Sequence, residues 1–182
     1  SAAGLAAAGL TPVVCIYSSF LQRGFDQIVH DVCLQNLHVV FAIDRAGLVG
    51  ADGETHQGIF DVSFLTCIPN MTLLAPKNAK ELKSALKFAI DFDGPVAVRY
   101  PRGIAYDSLN EFESKIEFGK GEMLFEESDI ALFAIGSMVS TAKNLREKLK
   151  SRGFNVSVAN ARFFKPIDFE LVDKLCKNHK LI

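Results

Sequence analysis

Apolar residues along this chain follow two alternating rhythms. Short apolar runs at Val13 to Tyr17, Leu37 to Ile43, Met71 to Ala75 and Val96 to Tyr100 read as buried strands. Between them, apolar positions recur at helical spacing. Leu21, Phe25, Ile28, Val29, Val32 and Cys33 form one face of a segment from Phe20 to Asn36. Leu82, Ala85, Leu86, Ala89 and Ile90 form one face of a segment from Asn78 to Phe92. Ser18-Ser19 and Asn78 stand where helix caps belong. Thr11-Pro12 ends an initial small-residue helix, and Pro76 and Asp93-Gly94-Pro95 punctuate the later elements. A short helix fits Gln57 to Phe64.

The rhythm lapses from Ile104 to about Ser128, a stretch rich in glutamate and glycine, read as a linker carrying one hairpin from Lys115 to Leu124. It then restarts with a strand at Ile130 to Ile135, a helix at Ser137 to Ser151, a strand at Val156 to Ala159 and a helix at Asp168 to His179. Alternating strands and helices predict an α/β fold with parallel sheets in two units. The boundaries are 1–104, a linker over 105–128, and 129–182. The second unit is short for a complete α/β domain. The chain also opens as the middle of an uncapped helix and stops where another strand would begin. It is expected to be a piece of a larger protein.

Composition narrows the class. The chain is 49% hydrophobic with a net charge of -1, which describes a globular protein with no basic stripe for nucleic acid. Its lysines and arginines fall mainly among glutamates and aspartates in helical segments and read as solvated surface. Cys15, Cys33, Cys67 and Cys176 lack metal-ligand spacing. Cys15 and Cys33 are expected to be buried thiols, consistent with a reducing cytoplasm. No apolar run reaches membrane-spanning length, and the start has no basic signal-peptide region.

The candidate chemistry concentrates in Asp44-Arg45-Ala46-Gly47-Leu48-Val49-Gly50-Ala51-Asp52-Gly53-Glu54-Thr55-His56-Gln57-Gly58, directly after a strand. Ligands of α/β sheets bind at strand C-terminal ends, although a plain crossover loop has a similar composition. Arg45 and Asp52 offer a charged clamp. His56 has no second histidine nearby to make a zinc site and suits proton transfer or hydrogen bonding at a carbonyl. Tyr17 ends the first strand. Phe20 is either a core anchor or a platform for a heteroaromatic ring. Arg23, one turn on, reads by itself as a surface residue. Arg99-Tyr100-Pro101-Arg102-Gly103 closes another strand, and Arg102 either binds an anion, phosphate fitting best, or makes a structural ion pair. Gly136-Ser137 is either an anion-binding helix start or a plain turn and cap.

Four segments taken together resemble one family. Ile16-Tyr17-Ser18-Ser19-Phe20-Leu21-Gln22-Arg23, Phe41-Ala42-Ile43-Asp44-Arg45-Ala46-Gly47, Asp52-Gly53-Glu54-Thr55-His56-Gln57-Gly58 and Val98-Arg99-Tyr100-Pro101-Arg102-Gly103 are similar to the 1-deoxy-D-xylulose-5-phosphate synthase family of transketolase-like enzymes. Phe163-Phe164-Lys165-Pro166-Ile167-Asp168 resembles a segment of the family's C-terminal domain. The resemblance implies a pyrimidine-binding domain followed by the first part of that C-terminal domain. It implies thiamine diphosphate and Mg2+ as cofactors, pyruvate and glyceraldehyde 3-phosphate as substrates, and a cytoplasmic homodimer. By position, Phe20 stacks on the aminopyrimidine, Tyr17, Asp52 and His56 serve catalysis, and Tyr17, Arg23, Arg45, Asp52, His56 and Arg102 line the substrate channel. The diphosphate and metal ligands, and the activating glutamate, are expected outside this sequence, so residues 1 to 182 alone are expected to be inactive. A transketolase or a 2-oxoacid dehydrogenase β subunit shares the fold and cofactor, and a non-catalytic binding fragment is the remaining alternative.

Overall fold

The computed structural model describes the whole chain, Ser1 to Ile182. Its helices and strands, in chain order, are α1 (Ala2–Ala7), β1 (Val13–Tyr17), α2 (Ser18–Leu21), β2 (Val40–Asp44), α3 (Asp61–Thr66), β3 (Thr72–Leu74), α4 (Ala79–Asp91), β4 (Val96–Arg99), β5 (Glu122–Phe125), β6 (Ile130–Ala134), α5 (Met138–Lys150), β7 (Val156–Asn160), β8 (Phe163–Lys165) and α6 (Phe169–Asn178).

The first sheet has the order β1-β2-β4-β3-β8. The strands from β1 to β4 are parallel, as the alternating pattern predicts. On the central strand β2, Val40, Phe41, Ala42 and Ile43 are all buried, which is why it reads as a continuous apolar run rather than an alternating one. Phe41 and Ile43 pack with Leu21, Ile28 and Leu65 on one face. Val40, Val96 and Val98 pack with Ala85 and Ala89 of α4 on the other. The α4 start behaves as its sequence predicts, with the Asn78 side chain accepting a hydrogen bond from the Glu81 amide at 2.8 Å.

Four expectations change. β8 adds to the first sheet antiparallel to β3, with Leu73 opposite Lys165 and Leu74 opposite Phe163, so the sheet is mixed. A three-residue strand carries too little pattern to be seen, and its pairing is long-range. Second, no hairpin forms at 115–124. β5 instead pairs antiparallel with β7 in a second sheet of order β5-β7-β6, where β6 and β7 are parallel. The stretch read as a linker also buries Leu109, Ile116 and Leu124, so it packs as part of the fold.

Third, the segment after β1 is not a regular helix. α2 passes into a 3₁₀ turn (Gln22–Gly24) and then a π-helical stretch (Gln27–Cys33). Apolar spacing identified the buried face, Leu21, Ile28, Val32 and Cys33, but it does not encode which carbonyl each amide selects. Fourth, Cys15 is exposed while Cys33 is buried. β1 is the sheet's edge strand, and the face carrying Val13 and Cys15 is open. The short helix expected at 57–64 forms slightly later, as α3. No helix is long and apolar enough to cross a membrane.

The two sheets are joined by more than the intervening chain. After β7 the backbone returns to the first sheet as β8, and Lys165 Nζ donates to the carbonyls of Thr66 and Ile68 at 3.0 and 2.5 Å.

Candidate active site

Parallel register lines up the strand ends that carry the charged residues. Tyr17 lies beside Asp44, and Ile43 beside Arg99. The chain then turns sharply, with Arg45 at φ +55°, and the Ala46 amide donates to the Tyr100 carbonyl at 3.0 Å. The β2 and β4 exits are thereby fastened together.

The glycine-rich loop is closed by an antiparallel bridge between Gly47 and Gly58, with hydrogen bonds of 2.6 and 2.8 Å. Gly58 permits this closure: a Cβ there would lie 2.2 Å from the Arg45 carbonyl oxygen and 2.7 Å from Ser18 Cβ. Inside the loop, 3₁₀ turns at Gly50–Asp52 and Glu54–His56 are joined through Gly53 at φ +85°. The Gln57 side chain braces them, accepting from the Val49 amide at 3.0 Å and donating to the Gly53 carbonyl at 2.8 Å.

Most of the candidate side chains converge. Arg45 Nε donates to Asp52 Oδ2 at 2.6 Å, and Arg45 Nη1 to Asp44 Oδ2 at 2.9 Å. Arg102 Nε pairs with Asp52 Oδ1 at 2.9 Å. The Arg45 guanidinium carbon sits 3.9 Å from the centre of the Tyr17 ring, in cation–π geometry. Tyr17 stacks on Phe20 with centroids 5.3 Å apart, and His56 meets Phe20 edge-on at 5.2 Å. Thr55 Oγ1 lies 3.0 Å from His56 Nδ1. Phe20 keeps 41% of its surface exposed, so it is not a core anchor.

Electrostatics follow from these contacts. The hydrogen bond from Arg45, reinforced by the Arg102 charge, holds the Asp52 carboxyl below its ordinary range. The same hydrogen bond raises Arg45. Burial, with help from the Asp44 charge, pushes the Tyr100 phenol up.

Arg23 does not join this cluster, being exposed on the turn after α2 and without an ion pair. Arg99 is also engaged elsewhere, donating through Nε to buried Asp61 at 2.6 Å. A cleft of about 750 Å³ opens beside the arginines, lined by Asp44, Arg45, Tyr100 and Arg102 on one side and by Lys77 and Ser137 among others. Ser137 makes no capping bond of its own. Sequence reasoning took Asp44 only as the first residue of the polar stretch and passed over Lys77. Asp44 ends β2 and Lys77 lies three residues beyond β3, so position at the strand exits was the available signal.

The chain belongs to the transketolase family. Residues 1–106 match the transketolase pyrimidine binding domain, and residues 119–182 match the transketolase C-terminal domain. Among curated relatives, it is 55% identical over 180 residues to the 1-deoxy-D-xylulose-5-phosphate synthase of Lachnoclostridium phytofermentans, covering 99% of this chain and 29% of that protein. It is 55% identical over 177 residues to 1-deoxy-D-xylulose-5-phosphate synthase 1 of Geobacter metallireducens, covering 97% of this chain and 28% of that protein. The chain thus spans less than a third of these relatives. Among solved structures, a split-gene transketolase described as an inactive β4 tetramer superimposes with a TM-score of 0.89 at 29% identity, over 98% of this chain and 58% of that one. A Pichia stipitis transketolase mutant aligns at 0.78 with 23% identity, over 88% of this chain and 24% of that one, a likeness of fold alone.

Proposed function

We propose that this chain supplies the pyrimidine-stacking and phosphate-gripping part of a 1-deoxy-D-xylulose-5-phosphate synthase. That enzyme condenses pyruvate with glyceraldehyde 3-phosphate and releases carbon dioxide. One observation carries the reading: Arg45 and Arg102, from the ends of separate strands, converge on Asp52 beside the exposed Phe20–Tyr17 stack. Relatives at 55% identity favour the synthase over a transketolase or a 2-oxoacid dehydrogenase β subunit.

The open Phe20 ring fits a flat heteroaromatic such as the aminopyrimidine. The diphosphate and its Mg2+ find no donor set here, because no group of three or more His, Cys, Asp or Glu side chains is placed to hold a metal. Bound thiamine diphosphate would supply the carbanion-stabilising chemistry. This chain would bind and orient. Arg45 and Arg102 take the acceptor phosphate, as guanidinium forks do. Thr55 engages His56 Nδ1, which leaves Nε2 for a substrate oxygen. Asp52 offers its carboxylate to a substrate hydroxyl. Tyr17 supports Arg45 with its ring and offers a phenolic donor. Arg23, exposed on the neighbouring turn, contributes a positive field for anionic ligands. The working form is taken to be a cytoplasmic homodimer.

Steady-state kinetics in a protein of the relatives' full length test this reading. Arg102 is partly exposed, so losing its charge-assisted contact to phosphate costs about 1.5–3 kcal/mol. Arg102→Ala should therefore raise the KM for glyceraldehyde 3-phosphate by about tenfold or more and affect pyruvate much less. An equal, small effect on both substrates would remove the phosphate clamp.

A further inference from the structure

The two arginines assigned to a phosphate already hold an anion. Asp52 gives one carboxylate oxygen to Arg45 Nε at 2.6 Å and the other to Arg102 Nε at 2.9 Å. Asp44 takes Arg45 Nη1 at 2.9 Å. Two guanidinium groups thus face two carboxylates, and the cluster is formally neutral. Bidentate recognition of an oxyanion needs a pair of adjacent N–H groups on one guanidinium. Arg45 Nε donates to Asp52 and Arg102 is held by charge attraction alone, so the carboxylate occupies the Nε side of both arginines and leaves the Nη1–Nη2 end of Arg102 open.

We propose that Asp52 is an internal counter-anion that keeps the arginine pair self-occupied, and that a phosphate group binds by displacing this carboxylate from Arg102. The proposal rests on the phosphate-clamp reading and adds the exchange to it.

The exchange is assigned to Arg102 because the two arginines are held differently. Arg45 has a second carboxylate, Asp44, and the Tyr17 ring beneath it. Arg102 has Asp52 as its one ion partner, and its side chain is 42% exposed. Asp52 also sits on a short turn between Gly50 at φ +54° and Gly53 at φ +85°, where glycine allows backbone rotation at low cost. On leaving Arg102, the carboxylate becomes available to a substrate hydroxyl, the role proposed for it above.

Exchange also confers selectivity. A carboxylate ligand replacing Asp52 would exchange two oxygens and one charge for the same. Phosphate brings three oxygens and up to two charges, so displacement favours it. The second substrate, pyruvate, carries only a carboxylate and would be kept out of the acceptor subsite.

Calorimetric titration of the full chain with inorganic phosphate, and separately with acetate, tests this. Wild-type protein should bind phosphate and bind acetate far more weakly. Asp52→Asn keeps the shape and removes the competing charge. It should tighten phosphate binding by roughly two- to fivefold, the scale of one released, partly exposed ion pair, and should gain measurable acetate binding. Adding Arg102→Ala should abolish both gains. Circular dichroism establishes folding, and Asp52→Ala provides a second variant if the asparagine protein is unstable. Unchanged or weaker phosphate binding in folded Asp52 variants overturns the exchange, and the clamp survives if Arg102→Ala alone still weakens phosphate. Phosphate binding indifferent to Arg102→Ala overturns the exchange and the clamp together.

Discussion

Replacing Glu122 with glutamine should destabilise this chain far more than any surface charge change. Lys77, Glu81, Glu122 and Arg162 have side-chain exposures of 2, 4, 8 and 4%. Lys77 Nζ reaches Glu122 Oε2 at 2.8 Å and Glu81 Oε1 at 3.2 Å, and Arg162 reaches the same two carboxylates at 3.1 and 2.7 Å. Ser114 and Asn160 fill remaining lone pairs, with Ser114 Oγ donating to Glu122 at 2.7 Å and Asn160 Nδ2 to Glu81 at 3.1 Å. Two cations balance two carboxylates. Glu122→Gln leaves an unbalanced buried positive charge, and breaking such a pair costs about 3–5 kcal/mol. An exposed pair such as Lys87–Asp91 contributes about 0–1 kcal/mol. With urea m-values of about 1–3 kcal/mol/M, the midpoint should fall by roughly 1 M or more, whereas Lys87→Met should barely move it.

The acid limb provides a second readout. Burial raises the Glu122 carboxyl, but hydrogen bonds from Lys77 and Ser114, with the Arg162 charge, outweigh it and leave the group depressed. Its stabilising effect is therefore complete above the unfolded value of about 4.3 and is lost as pH falls through the lower folded value. Glu122→Gln should flatten the loss of stability in that window. A midpoint shift no larger than that of Lys87→Met, or an unchanged acid limb, would refute the reasoning.

Two further outcomes are expected. Phe20→Ala in a protein of the relatives' length should weaken thiamine diphosphate binding by about 1–3 kcal/mol through lost stacking, and unchanged affinity in a titration would contradict the platform role. Burial pushes the Cys33 thiol up to about 11, so alkylation near neutral pH should label exposed Cys15, Cys67 and Cys176 and spare Cys33 until the chain unfolds. Mass spectrometry showing equal labelling of all four would reject that account.

Local signals were readable in the sequence wherever the controlling physics is local. Apolar runs located β1, β2 and β4 because burial dictates their composition. Asn78 and Asp168 were legible as helix starts because a cap reaches only a few residues ahead, and both side chains do accept a first-turn amide. What stayed hidden depends on distant pairing. β5 and β8 are short strands whose partners, β7 and β3, are set by topology. Lysines and arginines read as solvated surface, yet Lys77 and Arg162 are buried, and their carboxylate partner Glu122 lies on a strand whose pairing with β7 the pattern did not reveal. The candidate site divides along the same line: residue types at strand ends marked Tyr17, Arg45, Asp52, His56 and Arg102, but not which pairs would touch.

The contact between Asp52 and both arginines exists because β4 inserts beside β2 rather than following β3 at the edge. That insertion brings Arg45 and Arg102, far apart in sequence, to neighbouring strand exits, where the Ala46–Tyr100 hydrogen bond fixes their spacing. The opposite wall of the cleft is set by other means. Lys77 lines the cleft, and its ammonium is held in the buried network by Glu122 of the second sheet, while β8 ties that unit back to β3. Two charge clusters therefore meet at one cleft with opposite mechanical properties. The Lys77–Glu81–Glu122–Arg162 cluster is desolvated, fully partnered and costly to open. The Arg45–Asp52–Arg102 cluster is partly exposed and set on glycine turns, so its ion pairs can be exchanged at small cost. The rigid cluster holds the walls in register, and the labile one leaves its arginines open to exchange with an incoming anion.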